Sequence, residues 1–465
     1  MAVAGSGQAA PLTYGELAYV GPAVAAAPGD PVAFLVEPGA AFVRALVGIW
    51  RRGAIAVPLS PLHPRSELEH AIADAAPAVL LASGALAPRL TEAAPGRHVT
   101  LLEDLDRDPS QPARSGACAL MLYTSGTTGR PKGVRLSHEA LAATLGALDE
   151  AWRWRAGDRL LHMLPLHHTH GVVVALLGAL WAGAEVRFVP FTADAAWDGL
   201  ASATVLMAVP TMYAKMMEAF AAADPTRRAR WADSARDMRL CTSGSAPLPA
   251  SLLNAFRTAT GQTILERYGM TEIGMALSNP YDGPRVPGAV GRELPGVTVD
   301  IVDETGQPAA AGVPGELRVR SPQMFSGYHG DPAATAASFD AAGRFRTGDV
   351  GARDEAGVVH LYGRTSVDII KSGGYKLSAL EIEAVLADHP AVAEVAVLGV
   401  ADPTWGEVVT AYVVARPGAP ATLPDLQAFA RERLAGYKLP RVLRVLESLP
   451  RNAMGKVQKQ RLRDL

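Results

Sequence analysis

The segment Tyr123-Thr-Ser-Gly-Thr-Thr-Gly-Arg-Pro-Lys-Gly133 sets the strongest limit on this chain. It follows the apolar run Ala117–Tyr123, which reads as a strand that empties into a loop. Thr124, Ser125, Thr127 and Thr128 bring four hydroxyl donors to that loop. Gly126, Gly129 and Gly133 let backbone N–H groups approach a polyanion without a Cβ in the way. Arg130 and Lys132 add positive charge. Together these are the requirements of a triphosphate cradle. The string matches neither GxxxxGK[ST] nor GxGxxG, which sets aside P-loop NTPases and dinucleotide-binding folds.

Around this loop, helical patterns alternate with short β-branched runs such as Pro31–Val36 and Ala203–Val209. The alternation predicts an α/β fold of mostly parallel sheets covered by helices. Leu141, Leu145 and Leu148 repeat at helical spacing behind Ser137, an expected N-cap. Near Val297–Asp303 and Gly315–Arg320 strands shorten and turns crowd in, as in a small antiparallel region. The last ~100 residues read as a separate α+β unit. There Ser378 and Glu381 form a capping-box pattern, strands are expected at Glu394–Val400 and Val408–Ala415, and a helix from about Asp425 to Leu434. The expected domains are 1–363 and 364–465, with the boundary among the glycines and serines of Gly363–Ser372.

Composition removes several function classes. With 44 Lys+Arg against 46 Asp+Glu there is no basic footprint for nucleic acid. The two cysteines, Cys118 and Cys241, exclude a disulfide framework and fit a reducing compartment. No charged-then-apolar leader opens the chain, and the longest apolar run, Gly171–Gly183, is too short for a bilayer. It reads as a buried helix, and the expected location is cytoplasmic. His167, His168 and His170 lack the Cys or acidic neighbours of a zinc site. No Gly-x-Ser-x-Gly elbow supports a serine hydrolase.

Tyr123–Val134 resembles the signature of the adenylate-forming superfamily of acyl-CoA synthetases, luciferases and adenylation domains. Further matching segments follow in order: Leu164–Gly171, Tyr268-Gly-Met-Thr-Glu272, Phe345-Arg-Thr-Gly-Asp349 and Pro450-Arg-Asn-Ala-Met-Gly-Lys456. Leu12–Leu17 resembles the family's opening motif. The resemblance spans nearly the whole chain.

It implies a role for each matched residue. Tyr268 stacks on adenine, flanked by Gly269 and Met270; Thr271 contacts phosphate and Glu272 helps hold Mg²⁺. Asp349 accepts from the ribose hydroxyls, and Arg364 contacts ribose or phosphate. Ser243-Gly244-Ser245-Ala246-Pro247 lines the adenosine and acyl sites, and His168 walls the acyl pocket. Lys456 reaches the α-phosphate and the substrate carboxylate, where an ammonium lowers the repulsion of two anions. The small unit then rotates about a hinge within Arg364–Lys371, at Val367 or Asp368. Rotation exchanges Lys456 for the Ser372–Lys376 loop, with Lys371, Gly373 and Gly374 near the incoming thiol.

The implied reaction consumes ATP, Mg²⁺ and coenzyme A: a carboxylate is adenylated with loss of pyrophosphate, then passed to a thiol. Within the superfamily, Leu164–Gly171, Val209–Tyr213, Ser243–Leu248 and Glu266–Ser278 most resemble malonyl-CoA synthetases, which points to malonate or methylmalonate. A distal carboxylate calls for a buried guanidinium. Arg239 and Arg285 are the expected counter-charges, with Thr211 as a pocket wall. Alternatives are a ligase for another short acid, an enzyme loading a carrier-protein thiol, and a nucleotide-binding pseudoenzyme. An amino-acid adenylating enzyme would need an acidic partner for the ammonium, and none is well placed.

Overall fold

The computed structural model describes residues 3–5, 11–19, 21–106, 117–124, 131–365, 367–372, 375–451 and 457–463. Its centre is a sheet of twelve described strands that changes character half-way. One half is parallel, in the order Val3–Gly5, Glu185–Phe188, Arg159–His162, Val205–Ala208, Leu240–Ser243 and Leu265–Met270. The other half, from Gly274–Ser278 outward, is antiparallel and includes Phe345–Arg353 and Val359–Arg364. The parallel strands are short and apolar because helices cover both faces. Val205–Ala208 and Leu240–Ser243 are buried at every position. This is the α/β architecture that the alternation predicts, with the antiparallel region in the expected place.

A second sheet carries the phosphate-loop strand. Leu120–Thr124 lies parallel to Ile55–Pro58 on one side and antiparallel to Lys132–Leu136 on the other. Thr124 faces Lys132 across that antiparallel pair, so the loop between them is the end of a hairpin. A third sheet, built on the long antiparallel pair Val392–Asp402 and Gly406–Ala415, has its own apolar clusters. One contains Ile370, Ile382, Val397, Val409 and Leu426, the other Leu398, Tyr412, Leu449 and Leu462.

Local chemistry sets the helix ends. Ser137 accepts from Ala140 N–H at 3.0 Å and Ser378 from Glu381 N–H at 3.1 Å, both as N-caps. The reciprocal half of the expected capping box is replaced, because Glu381 places both carboxylate oxygens on Lys438 Nζ at 2.6 and 2.7 Å. The helix expected to begin near Asp425 spans Leu423–Arg431 behind the cap Thr422. The apolar run Gly171–Gly183 is buried as far as Ala179, leaves Trp181 exposed, and opens as a π-helix, His170–Leu177. Such wide turns are rare and cluster at functional sites.

Candidate active site

In a parallel sheet, ligands gather beyond the carboxyl ends of the strands, where loops and helix starts converge. Four neighbouring parallel strands deliver motif residues to that edge. Arg159–His162 leads to Leu164–His170, Val205–Ala208 to Pro210 and Thr211, Leu240–Ser243 to Gly244–Pro247, and Leu265–Met270 to Thr271 and Glu272. Contacts between these loops tie them together. Thr169 Oγ1 donates to Thr271 Oγ1 at 2.9 Å, and Ser245 Oγ sits 3.3 Å from His170 Nδ1. Ser245 has a φ of 69°, a left-handed backbone that a serine adopts only when its surroundings require it.

The second sheet adds its own loop ends. His63, after the strand Ile55–Pro58, meets His167 with ring centroids 4.7 Å apart, and His167 meets His168 at 3.9 Å. Burial and the neighbouring His63 hold His168 at about 4, so it is neutral at physiological pH. Lys132 Nζ lies 5.0 Å over the Tyr328 ring and 3.4 Å from Asp331. Ser125, Gly126, Thr127, Thr128, Gly129, Gly373, Gly374 and Lys456 lie outside the described residues.

A polar cluster joins the sheet edge to the start of the C-terminal unit. Tyr268 donates to Asp349 Oδ2 at 2.6 Å, and Arg364 Nε donates to Asp349 Oδ1 at 3.0 Å. Asp349 N–H is in turn fixed on Thr347 Oγ1 at 3.0 Å. Glu272 is buried and accepts from Tyr328 O–H at 3.0 Å. Burial pushes its carboxyl above the usual range, opposed by the Arg364 charge. A buried carboxylate with spare lone pairs, beside a threonine hydroxyl, suits a hard divalent cation that brings its own waters.

Residues 23–329 match the AMP-binding enzyme family, and residues 381–456 match the AMP-binding enzyme C-terminal domain. The chain belongs to the AMP-binding enzyme family. It is 42% identical to a mitochondrial malonate–CoA ligase of Mus musculus, over 93% of this chain and 81% of the mouse protein. The ATP-bound MatB structure from Rhodopseudomonas palustris is 37% identical, with a TM-score of 0.86, over 95% of this chain and 89% of that one. A malonyl-CoA ligase product complex with methylmalonyl-CoA and AMP bound is 42% identical over 90% of each chain, yet its TM-score is 0.66.

Within this AMP-binding enzyme, one expected substrate residue, Arg239, is not at the site. Arg239 precedes its strand, so it stands at the amino edge of the sheet, roughly 13 Å of strand away from Ser243. Its guanidinium is engaged by Asp158, with Nε–Oδ1 at 2.8 Å and Nη2–Oδ2 at 2.7 Å, and it also donates to Trp152 O at 2.8 Å. Arg285 donates from Nε, Nη1 and Nη2 to the backbone carbonyls of Pro280, Thr263 and Tyr281, which clamps a loop. Arg239 is a correction: at the amino edge it holds the fold together. Thr211 is exposed in the first turn of the helix Pro210–Ala222, with Lys215 one turn further on the same face. Lys371 is exposed on the strand Ile369–Ser372, its N–H on Glu407 Oε2 at 2.6 Å.

The guanidinium that does reach the edge is Arg267, on the strand Leu265–Met270. It is 3% exposed, and its Nε and Nη2 have no hydrogen-bond partner among the described residues. It packs so closely on Gly244 that a Cβ there would overlap the guanidinium carbon. His170 lies beside it, kept neutral by burial and by the Arg267 charge itself. Desolvation lowers Arg267 to about 10, still cationic. Neighbouring Glu266 points to the other strand face, where it accepts from Leu248 N–H at 3.2 Å, and burial raises it to about 7. The sequence signal for Arg267 is a charge inside a buried strand immediately before the tyrosine motif.

Proposed function

We propose that this chain is a malonate–CoA ligase, with methylmalonate tolerated. The observation that carries this reading is Arg267, a buried cation with unused donors next to the Gly244–Ser245 turn. An uncompensated buried charge costs several kcal/mol, and a ligand carboxylate would recover that cost through charge-assisted hydrogen bonds. A monocarboxylate has no second anion to offer.

ATP would lie across the carboxyl edge, with its phosphates in the Thr124–Lys132 hairpin and its ribose at Asp349 and Arg364. Glu272 and Thr271 would hold Mg²⁺, which offsets charge on the phosphates when bound. Neutral His168 and His170 add no positive charge that would compete with Arg267 for the acid. The acid's reacting carboxylate attacks the α-phosphorus and pyrophosphate leaves. The CoA thiol then attacks the acyl-adenylate carbonyl and AMP leaves. Lys456 belongs to the first step, and the segment Arg364–Lys371 is the hinge that withdraws it before the second.

The lower agreement with the product complex than with the ATP-bound relative supports such a rearrangement. Exposed aromatic faces on the C-terminal unit suit a nucleotide-bearing thiol. Tyr375 stacks on Tyr437 at 4.4 Å, and Arg441 covers Trp405 at 3.8 Å. The reading is tested by pyrophosphate release with malonate, methylmalonate, acetate and butyrate, each with ATP, Mg²⁺ and CoA. Malonate should give the highest kcat/KM, and a preference for butyrate removes the dicarboxylate assignment.

A further inference from the structure

Lys459 is buried between two carboxylates. Its Nζ is 2.6 Å from Asp368 Oδ1 and 2.6 Å from Glu383 Oε1. The three side chains retain only 10%, 15% and 17% of their exposure. Burial works against the ammonium, but the two carboxylates outweigh it and hold Lys459 above its usual value. Such a group is costly unless every member is satisfied, and here each is. Glu383 Oε1 also accepts from Val397 N–H at 2.6 Å, which anchors it to the third sheet.

Asp368 is the member that faces two ways. Its Oδ2 accepts from the backbone N–H of Arg364 at 3.0 Å, and its own N–H donates to Arg364 O at 2.7 Å. Gly363, with a φ of 113°, leaves room for this turn, since a Cβ there would strike the Asp368 side chain. Arg364 continues the line to Asp349. One carboxylate therefore ties the start of the segment Arg364–Lys371 to Lys459, and any turn of the chain between 364 and 368 must break the Oδ2 bond. Lys459 follows Lys456 by three residues. Arg451 and Val457 bridge across the same motif, and Arg451 is ion-paired to Glu394.

We infer that Lys459 is a positioning residue for acyl-adenylate formation. By gripping Asp368 it holds the hinge in the arrangement seen here and fixes where the motif around Lys456 sits. Thiol transfer, which follows the hinge turn, does not need that grip. This rests on the two-step ligase reading above.

The test measures the two half-reactions separately in Lys459→Met and Lys459→Arg: malonate-dependent pyrophosphate release, and AMP release from supplied malonyl-adenylate and CoA. Lys459→Met should lose roughly 100-fold in the first, as small misplacements of a reacting group do. It should stay within about threefold in the second, and Lys459→Arg should restore most of the first step, because the missing element is a cation at Asp368. An equal fall in both half-reactions, or an unchanged first step, overturns the inference. If Lys459→Met does not fold, Asp368→Asn decides by the same split. Wild-type protein that adenylates a different acid removes the malonate assignment alone, since the split is then read with that acid. Wild-type protein that adenylates no acid overturns both readings.

Discussion

Tyr268 donates its hydroxyl to Asp349 Oδ2 at 2.6 Å across 81 residues of sequence, joining the last parallel strand to the antiparallel half of the same sheet. The bond fixes the ring through its far end, so the face expected to meet adenine and the carboxylate expected to meet ribose are set relative to each other. Burial and the Asp349 charge push the Tyr268 phenol well above its usual value, which keeps it a donor at any working pH.

Tyr268→Phe should therefore raise KM for ATP while the ring surface remains. A hydrogen bond to a charged group contributes about 1.5–3 kcal/mol, which corresponds to roughly ten- to hundredfold. Steady-state kinetics with varied ATP at saturating malonate is the measurement. An unchanged KM for ATP would mean that the Asp349 geometry does not depend on this bond.

Arg267→Met should uncouple function from stability. Removing a buried guanidinium whose Nε and Nη2 find no partner among the described residues relieves a desolvation cost, so the denaturation midpoint without ligand should hold or rise. Malonate kcat/KM should drop by roughly 100-fold or more, and butyrate kcat/KM should change by less than about fivefold. Parallel losses for both acids would show that Arg267 serves the ATP site.

What could be read from the residues alone was whatever lies close together in the chain. The hydroxyls and glycines of Tyr123–Gly133, the Tyr268–Glu272 string and the caps Ser137 and Ser378 are local patterns, and local chemistry decides them. The counter-charge for the acid is different in kind. Arg239 and Arg267 are both arginines in or beside apolar strands, and what separates them is Asp158, 81 residues from Arg239. Arg267 has no such partner among the described residues. Which edge of the sheet each one occupies follows from strand direction, and that direction emerges only when the strands pair. Thr169, on Thr271, was missed for the same reason.

The Arg239–Asp158 pair should behave as structure. The two side chains are 11% and 3% exposed, and breaking such a pair by removing one partner costs about 3–5 kcal/mol. Arg239→Ala should lower the unfolding midpoint sharply. The ratio of kcat/KM for malonate and butyrate, measured on the folded fraction, should stay at the wild-type value. A collapse of that ratio at unchanged stability would return Arg239 to the substrate.

Glu266 gives the chain a pH-dependent stability with a definite sign. Burial raises its carboxyl from 4.5 to about 7, opposed only by backbone N–H groups such as that of Leu248. A raised carboxyl favours the protonated form in the folded state. Its contribution is therefore fully present below 4.5 and is lost as pH rises through about 7. At about 1.4 kcal/mol per pKa unit the full loss is on the order of 3 kcal/mol. Glu266→Gln keeps an acceptor for Leu248 N–H and cannot ionise, so it should miss this loss. Chemical denaturation at pH 5 and pH 8 gives the check. The variant should gain on wild type by roughly 2 kcal/mol between the two. If the difference between the proteins is the same at both values, Glu266 is already ionised when folded, and Arg267 on the opposite strand face would then be the first group to examine as its charge partner.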